Sequence, residues 1–130
     1  MTEFAYDVDV RLRDVDFMGH VNNAVYATYL EEAREAFFER IVGESLADLD
    51  TVLASLTIDY ERPIHAGDEV VVSVTLSELG ESSVPMAYEI RADGDLAATA
   101  RTTQVFVDRE TGRAASIPRD VRERLSTSID

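Results

Sequence analysis

The chain contains no cysteine and no tryptophan, and only two histidines. The missing cysteine removes thiol nucleophiles, disulfide frameworks and cysteine-ligated zinc or iron–sulfur centres in one step. Two histidines supply a transition-metal site poorly, and Asp14-Val15-Asp16 lacks the remaining ligands of a calcium loop, so neither metal nor cofactor is expected. Lysine is absent too. All 12 basic residues are arginines, set against 26 acidic ones, and the formal net charge is −14. So negative a surface repels phosphate backbones, and the arginines are scattered rather than gathered in a stripe, which argues against a nucleic-acid partner. No apolar run approaches the roughly 18 residues of a membrane span. Met1-Thr2-Glu3-Phe4 has neither the basic nor the apolar region of a secretion leader, so the expectation is a cytoplasmic protein without a membrane partner. Gly43-Glu44-Ser45-Leu46-Ala47 misses the final glycine of a nucleophile elbow, and there is no glycine-rich phosphate loop or dinucleotide fingerprint.

What is present is enough apolar material, 45% of 130 residues, for one domain over 1–130 to bury its own core. The acidic residues are spread along the whole chain. Glu31, Glu35 and Glu39 stand at i, i+4 spacing, where each like-charge pair costs about 0.2 to 0.5 kcal/mol at low ionic strength. At about 1 M salt the Debye length shrinks to roughly 3 Å and most of that repulsion disappears. Together with the missing lysine, this pattern suggests a halophilic host with concentrated cytoplasmic salt.

Hydrophobic period divides the chain. Phe4, Tyr6, Val8, Val10 and Leu12 alternate with polar residues and predict a half-buried strand. From about Asn22 to Val42, Tyr26, Leu30, Ala33, Phe37 and Ile41 recur at helical spacing. Period two then returns at Leu56–Tyr60, Val70–Leu76, Val84–Ile90 and about Leu96–Val107, with Ala92-Asp93-Gly94-Asp95 as a hairpin turn. A short amphipathic helix with Pro118 in its first turn, and Val121 and Leu125 one turn apart, closes the chain. The order predicts an α+β fold: an antiparallel sheet of about five strands wrapped around one long central helix. Its edges and the helix start need cover, which a second copy paired edge to edge would provide.

Chemistry concentrates at the strand-to-helix junction, in DVDFMGHVNNAVYATYLEEAREAFF, residues 14 to 38. A helix start offers unpaired amides and the positive end of the macrodipole. Asp14 and Asp16 precede it, Gly19 permits a left-handed turn, and His20, Asn22 and Asn23 add polar handles. An acid derivative such as a thioester needs a base or nucleophile and donors for its oxyanion, and this junction holds both. On spacing alone Asp16 also reads as a turn or cap carboxylate, and Asp14 as a structural one bonding loop amides or Arg13. Asn22 and Asn23 are good capping residues whatever the function, and His65, in a turn, reads as plain surface.

The string Asp-x-Asp-x-x-Gly-His-Val-Asn-Asn-x-x-Tyr at residues 14 to 26, with the glutamate-rich helix behind it, resembles the hotdog-fold thioesterases of the 4-hydroxybenzoyl-CoA thioesterase and YbgC-like group. RPIHAGDEV at residues 62 to 70 and IPRDVRERL at residues 117 to 125 are similar to later parts of that family, so nearly the whole chain is covered. The resemblance implies an acyl-CoA thioesterase without metal or cofactor, working as a homodimer or dimer of dimers with sites at the subunit interface. It places the catalytic carboxylate on Asp16 and the oxyanion donor on a backbone amide near Asn23. Gly19, His20 and Asn22 complete the binding loop, and some lining comes from the second copy's strand near Thr57 or Ile58. Other hotdog subfamilies put a catalytic glutamate on the helix, which makes Glu31 or Glu35 the fallback. Two departures stand out: YbgC-like members often carry histidine where this chain has Asn23, and Met18 replaces the asparagine of the similar acyl-carrier-protein thioesterase string. A hotdog dimer that binds acyl thioesters or another hydrophobic molecule without turnover is the alternative reading.

Overall fold

The computed structural model describes residues 4–129, and the first three residues, on which the leader-peptide reading rests, lie outside that range. The period-two segments become five strands: β1 (Phe4–Val8), β2 (Thr51–Tyr60), β3 (Val70–Leu76), β4 (Ser83–Ala92) and β5 (Asp95–Phe106). They form one sheet in the order β1-β3-β4-β5-β2. Every neighbouring pair is antiparallel. The β4–β5 hairpin turns through Asp93 and Gly94, both at positive φ (50° and 86°), the twist that a two-residue turn between right-twisted strands requires. Pro85 stands one residue beyond the last β3–β4 pair, where its missing N–H costs that ladder nothing.

The helix α1 (Val25–Ile41) packs across β1 and β3. Tyr26, Leu30, Ala33 and Phe37 are buried as the spacing predicts, and so are Tyr29, Arg34 and Phe38, which widen the stripe. Opposite them lie Val72, Val74, Val84, Met86, Tyr88 and Ile90, the inward half of each alternating strand. Burial of Leu30, Phe37 and Phe38 contributes about 1.5 to 3 kcal/mol each. Gly43, at φ +85°, closes α1 by donating its amide to the Phe38 carbonyl. The terminal helix α2 (Arg119–Ser126) starts just after Pro118, buries Val121 and Leu125, and bonds the Val42 carbonyl through the Arg124 guanidinium.

Three expectations are corrected. Strand β1 ends at Val8, and Leu12, predicted on the buried face, is 92% exposed. A 3-10 turn at Leu12–Asp14 breaks the alternation, because the Asp14 carboxylate accepts the Arg11 amide and folds the chain back. The helix starts at Val25 rather than near Asn22, because the Asn22 side chain accepts the Ala24 amide and holds residues 22–24 in a turn. Strand β2 is longer than its alternation suggests and lies open: Val52, Leu53, Leu56 and Tyr60 are all exposed on this edge strand, whose one neighbour is β5.

Candidate active site

The loop between β1 and α1 is held by short bridges. Val15 pairs with Val21, and His20 pairs with His65 of the segment that follows β2. Within it the Asp16 amide donates to the His20 carbonyl at 2.7 Å, and the Gly19 amide donates to the Asp16 carbonyl at 3.0 Å. The Asp16 carboxylate is half-buried, and its Oδ1 accepts the Met18 and His20 amides at 2.9 and 3.1 Å. Its Oδ2 takes no hydrogen bond among the described residues. One oxygen shapes the loop, therefore, and the other is available for chemistry.

Gly19 has φ +82°, and a Cβ there would meet nothing within 4 Å. The demand on this glycine is conformational rather than steric. Gly19→Ala should cost about 1 to 2 kcal/mol, read as a lower urea midpoint at unchanged m-value.

The two aspartates are divided by environment. Asp14 is buried, and its Oδ2 accepts the Tyr29 hydroxyl at 2.9 Å and the Arg11 amide at 2.9 Å. The expected loop-amide role holds, but the second partner is Tyr29 and not Arg13. Burial, followed by the hydrogen bond to Asp14, pushes the Tyr29 phenol well above its ordinary value.

At the helix start the Asn22 amide donates to the Asp14 carbonyl at 2.8 Å and the Asn22 side chain is engaged with Ala24, so both are committed to the turn. The Asn23 amide has no protein acceptor among the described residues. Its carbonyl accepts the Tyr60 hydroxyl at 2.8 Å, and the Tyr60 ring meets Tyr26 edge-on at 4.9 Å, which ties the end of β2 to the helix start. The first turn of α1 carries no acidic residue, so the positive end of its dipole is left uncancelled there. His20 stacks edge-on against His65 at 4.9 Å, and the His65 amide donates to the Asp68 carboxylate at 2.8 Å. His65 is exposed in a turn, as expected, and its ring also braces the loop through His20. The signal for it was its place in RPIHAGDEV, not its spacing.

Residues 10–125 match the model of the thioesterase-like superfamily. The chain belongs to that superfamily. A thioesterase of Thermus thermophilus, solved in complex with coenzyme A and zinc, superposes with a TM-score of 0.86 at 42% identity, covering 95% of this chain and 91% of that one. The long-chain acyl-CoA thioesterase FadM of Escherichia coli is 28% identical over 94% of this chain and 96% of its own length. The uncharacterized protein YsmA of Bacillus subtilis is 31% identical over 95% of this chain and 87% of its own. The sheet and central helix are thus a hotdog fold, as the α+β reading expected. Within this thioesterase-like frame, the fallback glutamates differ. Glu35 accepts the Leu46 amide at 3.0 Å, whereas Glu31 is exposed beside a hollow between α1 and β2. Among the described residues no helix is long and apolar enough to cross a membrane, and no group of three or more candidate ligands could hold a metal.

Proposed function

We propose that this protein is an acyl-CoA thioesterase that hydrolyses an acyl-CoA to the free carboxylic acid and CoA. What supports the reading is an Asp16 oxygen without a hydrogen-bond partner and, seven residues on, an Asn23 amide without an acceptor just before α1. As a general base, Asp16 takes a proton from water, and the resulting hydroxide attacks the thioester carbonyl carbon. As a nucleophile, its oxygen attacks that carbon itself and water cleaves the anhydride. In either case the carbonyl oxygen gains charge against the Asn23 N–H, a contact worth about 2.7 to 4 kcal/mol, and the thiolate of CoA leaves and is protonated. Gly19 and His20 hold the loop, and Asn22 presents its neighbour's amide.

The working unit in this reading is a homodimer or a dimer of dimers. A ten-residue edge strand with four exposed hydrophobic side chains is a pairing template that a second copy covers.

Coenzyme A is strongly anionic, and this surface repels it at low salt. Of three arginines suited to guide its phosphates, Arg62 pairs with Asp95 at 3.3 Å and Arg91 with Glu89 at 3.0 Å. Arg101 has no ion-pair partner among the described residues. With a halophilic host, concentrated salt relieves the conflict. Acyl-CoA hydrolysis, followed by thiol release, should rise several-fold between dilute buffer and molar KCl, chiefly through a falling KM. A rate that falls steadily with added KCl refutes the salt adaptation, and no thiol release at any salt refutes the thioesterase.

A further inference from the structure

Asn22, Asn23 and Ala24 are all exposed, so no side-chain packing holds the turn that leads into α1, and hydrogen bonds fix it instead. Two peptide units make up that turn. In the first, the Asn22 carbonyl accepts the Val25 amide at 2.9 Å, and the Asn23 N–H has no acceptor among the described residues. In the second, the Ala24 N–H donates to the Asn22 Oδ1 at 2.9 Å, and the Asn23 carbonyl accepts the Tyr60 hydroxyl at 2.8 Å. Every polar group of the two units is thus engaged except the amide assigned to the oxyanion.

The partners differ in what they are mounted on. The Val25 amide and the Asn22 side chain belong to the turn and its helix and move with them, and one peptide earlier the Asn22 amide is tied to the Asp14 carbonyl of the same loop. Tyr60 comes from the sheet. It is the last residue of β2, paired with Ala98 of β5, and the Glu61 and Arg62 amides that follow it both donate to the Ala97 carbonyl, at 2.8 and 3.2 Å. Ala97 and Ala98 are completely buried, so this end of the ladder is anchored in the core. The Tyr60 ring lies edge-on to the buried Tyr26 at 4.9 Å, which sets the direction of its hydroxyl.

We propose that Tyr60 is a positioning residue for the oxyanion amide: its hydroxyl ties the peptide after Asn23 to the sheet and so fixes the direction of the Asn23 N–H. The role rests on the thioesterase reading above. Peptide units are rigid and turn only about the bonds to Cα. Without the tie, the unit after Asn23 can swing about its Cα–C bond, and a compensating swing about N–Cα tilts the N–H. An oxyanion donor is fully effective only when it already points to where charge develops, since turning it during the reaction takes back part of the gain. The tie does not need an exposed ring, so a second copy laid along β2 is compatible with it.

The test uses the full chain in molar KCl. Tyr60→Phe keeps the ring against Tyr26 and removes only the donor. Its kcat for acyl-CoA hydrolysis should fall about 10-fold, less than the roughly 10²-fold cost of a 1 Å misplacement, with KM and melting temperature unchanged. Tyr60→p-aminophenylalanine, which returns an N–H donor to the same place, should recover most of the lost rate. An unchanged kcat in Tyr60→Phe overturns the proposal. So does a raised KM at constant kcat, which makes Tyr60 a substrate contact. A second readout is independent of turnover: in the proton–nitrogen amide spectrum of the unliganded protein, Tyr60→Phe should move and broaden the Asn23 and Ala24 signals and leave Gly19 in place. Asn23 and Ala24 signals that stay as in the wild type overturn the tie whatever the rates. Disturbed signals in a protein that releases no thiol keep the hold of Tyr60 on the turn and remove the thioesterase.

Discussion

Replacing Asp16 by asparagine should lower kcat for acyl-CoA hydrolysis by about 10²- to 10⁴-fold, the usual share of a positioned base, and leave the melting temperature unchanged. The asparagine Oδ1 can go on accepting the Met18 and His20 amides, so the loop keeps its shape. What changes is the second position, where a carboxylate oxygen becomes an amide NH2 that neither takes a proton nor attacks carbon. In the proposed mechanism Asp16 acts on the reacting carbon alone, so KM should move little, the signature of an interaction made only in the transition state. A rate equal to wild type shifts the role to Glu31, the fallback carboxylate that stands exposed beside the hollow between α1 and β2. Tight acyl-CoA binding with no turnover by either protein favours the silent dimer, in which Asp16 only ties its own turn.

Asp14→Ala should behave in the opposite way, with a stability loss of about 2 to 6 kcal/mol, since two partners lose their acceptor at about 1 to 3 kcal/mol each. Those partners are the buried Tyr29 hydroxyl and the Arg11 amide that starts the turn. Urea unfolding reads the loss directly, and Tyr29→Phe removes the same hydrogen bond from its other end. The two substitutions should be non-additive, since either one breaks the contact. Tyr29 also sets a pH limit. Its folded phenol is raised above the ordinary value of 10.0, so its contribution is intact below that pH and is lost as pH climbs beyond it. Tyr29→Phe should flatten the alkaline side of the stability profile. A variant at Asp14 that is as stable as wild type but inactive would exchange the roles of the two aspartates.

The adjacency of these two opposite residues shows how far local pattern reaches. Asp-x-Asp ahead of a helix told that carboxylates gather at the junction, and the surrounding string singled out Asp16. Nothing in the spacing distinguished a carboxylate buried against Tyr29 from one with an open oxygen, because that depends on which side chain of α1 lies above the loop. His65 reads as an ordinary turn residue until the fold sets its ring against His20, 45 positions earlier in the chain. Leu12 fits an alternation that a single hydrogen bond from the Arg11 amide to Asp14 interrupts.

The sequence by itself determined the alternation of β3, β4 and β5, the core stripe of α1, the Asp93-Gly94 turn and the loop that carries Asp16, Gly19, His20 and Asn23. These follow from period, turn chemistry and backbone freedom, which act between near neighbours. Only the tertiary structure decided that Asn22 is spent on its own turn while the Asn23 amide is left over, and that β2 lies open at the sheet edge. It alone brought Arg34 of the helix and Gln104 of the last strand to the lining of one surface hollow. Such facts depend on which groups, far apart along the chain, remain without partners once all others have found theirs, and that is settled when the sheet closes over the helix.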